Sequence, residues 1–266
     1  MENRVRSLSF IFVPIVLIFI AILFLWIALV QEPKIAEIIN GLTSENVKVE
    51  MKGFKRGLFF NISMDRLTLK GRGEEIICIE DISVRINPLY LFLLRIKASF
   101  AGKIQNGLVA GVISINSNKR LMKIKIDNAD IKDIGLFAKI GIQGTGILNA
   151  RLRMENNSGE IKFGIENAKL ETANFSGISV PINLFNKIKG LVTINGNVAE
   201  INSVSLEGAD VYGRVKGTIK NNVADLNLEL MPEASARNNF FVLSLIDKYQ
   251  VSPGYYVIPI KTRLSF

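Results

Sequence analysis

The sequence is short of the side chains that most often do chemistry. It holds no histidine and a single cysteine, Cys78, so the commonest general base and the commonest metal ligand are missing. One cysteine forms neither an intrachain disulfide nor a thiolate metal cage. Cys78 lies in the run Ile76-Ile77-Cys78-Ile79, where a small buried hydrophobe is expected rather than a reactive thiol. The carboxylates Asp127, Asp130, Asp133, Glu166 and Glu171 fall at turns or on wet strand positions, which solvation and turn formation explain. Acid pairs work without histidine in some enzymes; here no Gly-x-Ser-x-Gly and no metal-ligand spacing accompanies them. Glycines recur at Gly141, Gly144 and Gly146 and at Gly213 and Gly217. None opens a helix, so a nucleotide-binding fingerprint is not expected; glycine within strands marks bends and bulges. The expectation is a protein that is not an enzyme, with no cofactor and no metal.

Charge narrows the partners. Lys and Arg outnumber Asp and Glu by 33 to 24, a formal charge of +9, which favours anionic surfaces. The cations are scattered singly on alternating positions and no basic run is interleaved with aromatics, so nucleic acid is not an expected partner.

Membrane is. From Leu8 to Val30 no residue is charged, and at 1.5 Å per residue the stretch makes roughly 34 Å of helix, enough to cross a hydrocarbon core of about 30 Å. Leu8, Ile11, Phe12, Ile15, Leu17, Ile20, Leu23, Trp26 and Val30 are its anchoring side chains, with Trp26 near the far end, where an amphipathic ring suits an interface. Arg4 and Arg6 precede the span and Glu32 follows it, which places the N-terminus in the cytoplasm and the remainder across the membrane. The run is longer than a signal-peptide core of about 7–15 residues and no A-x-A-like site follows, so an uncleaved anchor is expected. It is also apolar all round, unlike the one-sided helix of a soluble core.

Beyond the anchor the period changes. Pro33 to Leu42 has Ile35, Ile38, Ile39 and Leu42 on one helical face. Period-two alternation then recurs over residues 47–52, 67–70, 82–87, 121–127, 146–154, 161–166, 191–194, 211–220, 223–230 and 256–266, the pattern of antiparallel strands with one wet and one buried side. Turn residues separate them, as in Glu155-Asn156-Asn157-Ser158-Gly159 and Lys220-Asn221-Asn222. Pro88 to Leu94 is strongly apolar and is expected to cap one end of the sheet. Short crossover helices are expected at Ala129–Lys139 and Pro181–Lys189, and the best helix of the body at Ala234–Tyr249. So many strands must hide their apolar side by closing into a barrel, stacking on a second sheet or curling into a trough.

The order of these parts resembles the type II secretion system protein N family, the GspN-like branch of the AsmA-like proteins. The resemblance rests on the anchor and short helix followed by ENVKVEMKGFKRGLFFNISMDRLTLKG, on ISVRINPLYLFLLRIKASFAGKIQNGLVAGVISI from Ile82 to Ile115, on IKDIGLFAKIGIQGTGILNARLRM, and on GADVYGRVKGTIKNNVADLNLELMPEA with GYYVIPIKTRLSF behind it. It implies a mainly β fold: one N-terminal transmembrane helix, then a long antiparallel, curled β-sheet, groove-like or taco-like, with a few short helices. It further implies residues 1–7 in the cytoplasm, 8–30 in the inner membrane and 31–266 as a periplasmic β-rich domain. The implied role is a non-enzymatic accessory or structural subunit of the secretion apparatus, with other secretion proteins as partners. The alternative is a groove protein that binds or transfers phospholipid. The family brings no active-site residues to carry over.

Overall fold

Alternating side chains make strands here because each strand finds a neighbour within a few residues. The computed structural model describes residues 47–233, apart from 58, 92, 176 and 177, together with 247–263 and positions 23, 24, 26, 27, 30–33, 35 and 37. The strands are β1 (Val47–Lys52), β2 (Lys55–Arg56), β3 (Asn61–Gly71), β4 (Glu74–Ile86), β5 (Ile96–Ile104), β6 (Gly107–Ile115), β7 (Arg120–Asp130), β8 (Gly144–Glu155) and β9 (Ser158–Leu170). After them come β10 (Ala173–Phe175), β11 (Ile178–Val180), β12 (Phe185–Asn195), β13 (Val198–Gly208), β14 (Val211–Lys220), β15 (Val223–Pro232), β16 (Gln250–Ser252) and β17 (Tyr255–Arg263). All but the β10–β11 hairpin join one antiparallel sheet of 15 strands, ordered almost as the chain runs, with β17 between β15 and β16. Tight turns make that order possible. Asn221 and Asn222 both have positive φ, 49° and 60°, as a two-residue turn matching strand twist requires.

The segments expected to alternate lie in strands, save Asn87, which follows β4, and residues 264–266, which lie outside the described residues; one expected helix does not form. Over Pro181–Lys189 only Ile182–Leu184 is helical, a single 3-10 turn, and from Phe185 the chain is β12, paired with β9 and β13. Phe185 and Ile188 look helical in spacing because the register shifts between Phe185 and Lys187; a bulge turns a two-residue spacing into three. The same device separates Ile126 from Ala129, with Asn128 at φ 56°. Over Ala129–Lys139 the helix is partial: β7 runs to Asp130, whose carboxylate accepts the Lys132 N–H at 3.2 Å and starts the 3-10 turn Ile131–Asp133. Helix α2 (Gly135–Lys139) follows.

Helix α1 (Pro88–Leu91) corrects the expected cap. Leu89, Leu93 and Leu94 around it are 69%, 64% and 90% exposed, so these three leucines are not buried against the sheet end. Of the expected helix at 234–249, positions 234–246 lie outside the described residues and Asp247–Tyr249 is a 3-10 turn. The described positions of the stretch from Glu32 to Glu37 are helical. Among the described residues no helix is long and apolar enough to cross a membrane, and residues 8–22 of the expected anchor lie outside them.

Two apolar clusters hold the body. The larger draws on every main strand from β5 to β17 and on the 3-10 turns at 131–133 and 182–184; the smaller joins Trp26 to Phe60, Ile62, Met64 and Ile82.

Candidate functional site

Strand register builds the most distinctive surface of the molecule. Partners directly opposite one another run from β3 to β17 as Ile62, Val84, Phe100, Gly111, Ile124, Leu152, Ile161, Val192, Ile201, Gly217, Leu226 and Ile260. No polar side chain interrupts the row. At strand spacing of about 4.8 Å it is about 50 Å long. Neighbouring rows on the same face repeat the pattern. One runs Ile86, Ala98, Ile113, Met122, Met154, Gly159, Ile194, Ala199, Ile219 and Ala224, ending at Thr262. Two more lie on the other side, the first through Val109, Ile126, Ala150, Phe163, Val204, Val215, Leu228 and Ile258, the second through Leu148, Ile165, Ile188, Leu206, Leu230 and Tyr256.

Burial changes steadily across those rows. The row from Leu148 to Tyr256 is buried throughout. Ile131 and Ile134, Ala173 and Val180 of the β10–β11 hairpin, and Ile182 belong to the same cluster and close that end. The row holding Ile124, Leu152, Ile161, Val192 and Ile201 is half-buried between its buried ends Ile62 and Ile260, and the row holding Met122, Met154 and Ile194 is half-buried but for Ala224. The apolar face is thus sealed along one margin and reachable by solvent along the other.

Glycines shape this face. Gly111 lies opposite Phe100 and Gly190 opposite Phe163. A Cβ on Gly111 would stand 2.5 Å from the Phe100 ring and one on Gly190 2.3 Å from Phe163. Each phenyl ring lies across its neighbour strand, filling the place of the missing side chain. Gly217, in the central row, has φ 144°, a backbone open only to glycine.

The opposite face carries the charge. Between the two half-buried rows the partners read Arg85, Ser99, Val112, Lys123, Arg153, Glu160, Thr193, Glu200, Thr218, Asp225 and Lys261. Ion pairs lace it, among them Lys119–Glu155 at 2.6 Å and Lys103–Asp81 at 2.9 Å. Lys119 holds the Glu155 carboxyl below its ordinary range by a direct hydrogen bond, and Lys70 does the same to Glu50. All these groups face water, so their contribution to stability is small.

No family model, no curated protein and no solved structure matches this chain. The residues themselves therefore carry the argument about function.

The carboxylates expected at turns and wet strand positions serve separate structural roles. Asp127 pairs with Lys125 at 2.6 Å, Asp130 accepts the Gly146 and Lys132 N–H groups at 3.2 Å, and Glu166 and Glu171 are exposed. Among the described residues no three of His, Cys, Asp and Glu are placed to hold a metal ion. Cys78 is half-buried rather than buried, with the hydroxyl of buried Thr68 3.7 Å from its sulfur.

Of the anchor residues, Leu8, Ile11, Phe12, Ile15, Leu17 and Ile20, with Arg4 and Arg6, lie outside the described residues. Leu23, Trp26 and Val30 are described and converge on one place. Trp26 is 6% exposed against Phe60, with Leu23 and Val30 packed around the same cluster. The end of the expected anchor segment is therefore docked on the β2–β3 corner of the sheet. Sequence reasoning had no signal for that contact, since residues 26 or more apart in the chain make it.

Proposed function

We propose that this chain is a non-enzymatic, membrane-anchored envelope protein whose sheet curls around its apolar face to form a trough for the acyl chains of phospholipid. The observation that carries the reading is the four-row apolar face, about 50 Å long in its longest row, sealed along the Leu148–Tyr256 margin and half-exposed along the margin of Met122 and Ile194. Soluble monomers rarely leave contiguous apolar patches beyond a few hundred Å² without a partner. A trough about 50 Å long exceeds an extended acyl chain and would hold several in file. The uncharged segment from Leu8 to Val30 would fix one end of the sheet at the inner membrane, with residues 31–266 in the periplasm. Mass spectrometry of the full chain, purified in mild detergent, tests this. Bound phospholipid is expected, and Leu152→Glu, on the half-exposed row, should remove it while the fold stays intact. Wild-type protein free of lipid, or unchanged lipid in the variant, sinks the reading.

A second reading, a subunit of a type II secretion apparatus, draws support from the sheet edge. Among the described strands only three-residue β16 pairs with the outer side of β17, at Tyr255 and Tyr256. The rest of β17 is an open edge of the kind that accepts another protein's strand. Co-purification with secretion-machine proteins from solubilised membranes would favour it; a solitary monomer would count against it.

A further inference from the structure

The exposed apolar side chains of the molecule are not spread evenly. Among the described residues, Phe59, Leu89, Leu93, Leu94, Ile96 and Ile115 gather at the corner where β3, β4, β5 and β6 begin or end, Phe24 and Ile27 lie in the uncharged N-terminal segment, and Leu108, Leu136 and Val251 stand singly elsewhere. Ile96 and Ile115 face each other across β5 and β6, and Phe59 and Leu89 line one cleft of about 530 Å³ beside α1. The other turns at this end of the sheet are polar: Asn116 to Lys119, Asn156-Asn157, Gly196-Asn197 and Asn221-Asn222. Apart from the segment carrying Phe59 and Phe60, the loop around α1 is the apolar one among the described turns at this end, and Leu94 in it is 90% exposed with φ 53°.

Two observations say what covers it. First, the end of the uncharged segment docks beside it: Trp26 packs on Phe60, and Arg56 donates to the carbonyls of Ile27 and Val30. Second, the cations nearest it, Arg85, Arg95 and Lys97, belong to a stretch, Ile82 to Ile126, that contains no Asp or Glu, while Lys103, Lys119 and Lys125 farther along that stretch are paired with Asp81, Glu155 and Asp127. An exposed apolar loop flanked by Arg85, Arg95 and Lys97 fits an acidic lipid leaflet, with apolar side chains among the acyl chains and cations among the phosphates. We propose that the α1 loop is a second membrane contact, inserting Leu89, Leu93 and Leu94 into the leaflet that carries the anchor. This rests on the anchored reading above and adds an orientation. With two contacts at one corner, the sheet is held by that corner and cannot swivel about a single helix.

The test uses the full chain with Cys78→Ala, reconstituted in phosphatidylcholine–phosphatidylglycerol vesicles. An environment-sensitive fluorophore is placed on Leu94→Cys or Leu89→Cys, on Leu108→Cys and Val251→Cys as exposed apolar controls, and on Leu17→Cys as a reporter of the anchor. The expected result is blue-shifted emission and strong quenching by spin-labelled lipid at 89 and 94, with neither at 108 and 251. Aqueous emission at 94 equal to that at 108 overturns the proposal. So does a label at 94 shielded from water but not quenched by lipid, which means that another protein or a second copy covers the tip. The label at 17 is scored separately: a lipid-quenched 17 with an aqueous 94 leaves the anchor standing and removes only this proposal, whereas an aqueous 17 removes the anchor.

Discussion

Trp26 stacks on Phe60 with ring centroids 5.1 Å apart and planes tilted by 50°, and its indole N–H donates to the Gly57 carbonyl at 3.0 Å. The contact joins the end of the anchor segment to the first long strand of the sheet. Arg56 reinforces it by donating to the carbonyls of Ile27 and of Val30, the latter at 3.0 Å. Those carbonyls lie at the C-terminal end of a helical stretch, where a guanidinium satisfies otherwise unpaired acceptors and meets the negative end of the helix dipole.

Trp26 is the only tryptophan in the chain, so its fluorescence reports this junction alone. Phe60→Ala should shift its emission to the red by admitting water. Trp26→Ala should cost about 3–5 kcal/mol, the usual loss for emptying a buried aromatic site, read as a lower denaturant midpoint. An emission maximum indifferent to Phe60→Ala would refute the docking.

The glycine beneath Phe163 makes a second prediction. Gly190→Val must displace the ring, since a Cβ there meets it at 2.3 Å, and overpacking of this kind costs about 1–3 kcal/mol. Ala101→Val, on the exposed opposite face, should stay within about 0.5 kcal/mol of wild type. Urea titration of the two variants checks the difference. Equal midpoints would mean that Phe163 does not need the space.

The sealed and half-exposed sides of the apolar face should differ in tolerance. Ile258 is 0% exposed, and Ile258→Asn both empties its site and buries an amide with no partner, a loss above about 3 kcal/mol. Ile161 is half-buried, so the amide of Ile161→Asn keeps access to water and should cost less than half as much. Thermal unfolding followed by circular dichroism ranks them. The reverse order would mean that the half-exposed margin is the tighter one.

Acid should weaken the sheet slightly through two ion pairs. Lys70 and Lys119 hold Glu50 and Glu155 below the ordinary carboxylate range, so the unfolded chain takes up these protons more readily than the folded one. The contribution is present above the unfolded carboxylate value of about 4.3 and drains away as pH falls through it. A Glu50→Gln, Glu155→Gln variant should lose less stability than wild type between pH 6 and pH 3 (roughly the window these carboxylates titrate in). The difference should fade in about 0.5 M salt, which screens exposed pairs. A steeper acid loss in the variant would contradict the sign.

Much of this molecule is legible in its residue order, and the limit is physical. Alternation such as VYGRVKGTIK over 211–220 and VADLNLEL over 223–230 determines strand identity and which side is apolar, because side chains in a strand point alternately up and down. The Asn221-Asn222 pair likewise determines that the two strands turn back on each other. Residue order also determines an uncharged stretch long enough for a bilayer. Phe185–Ile188 was misleading in the same order, since a bulge gives a strand the three-residue spacing of a helix. Pro88–Leu94 read as a cap because apolar residues are usually covered; only packing reveals that nothing lies over Leu94. Three things were decided by tertiary structure alone: the alignment of single residues on twelve strands into one unbroken apolar row, the sealing of one margin by the β10–β11 hairpin and the 3-10 turns, and the seating of Trp26 on Phe60. Each joins residues through cross-strand register or through contacts across long stretches of chain, and no local pattern specifies which distant side chains will meet.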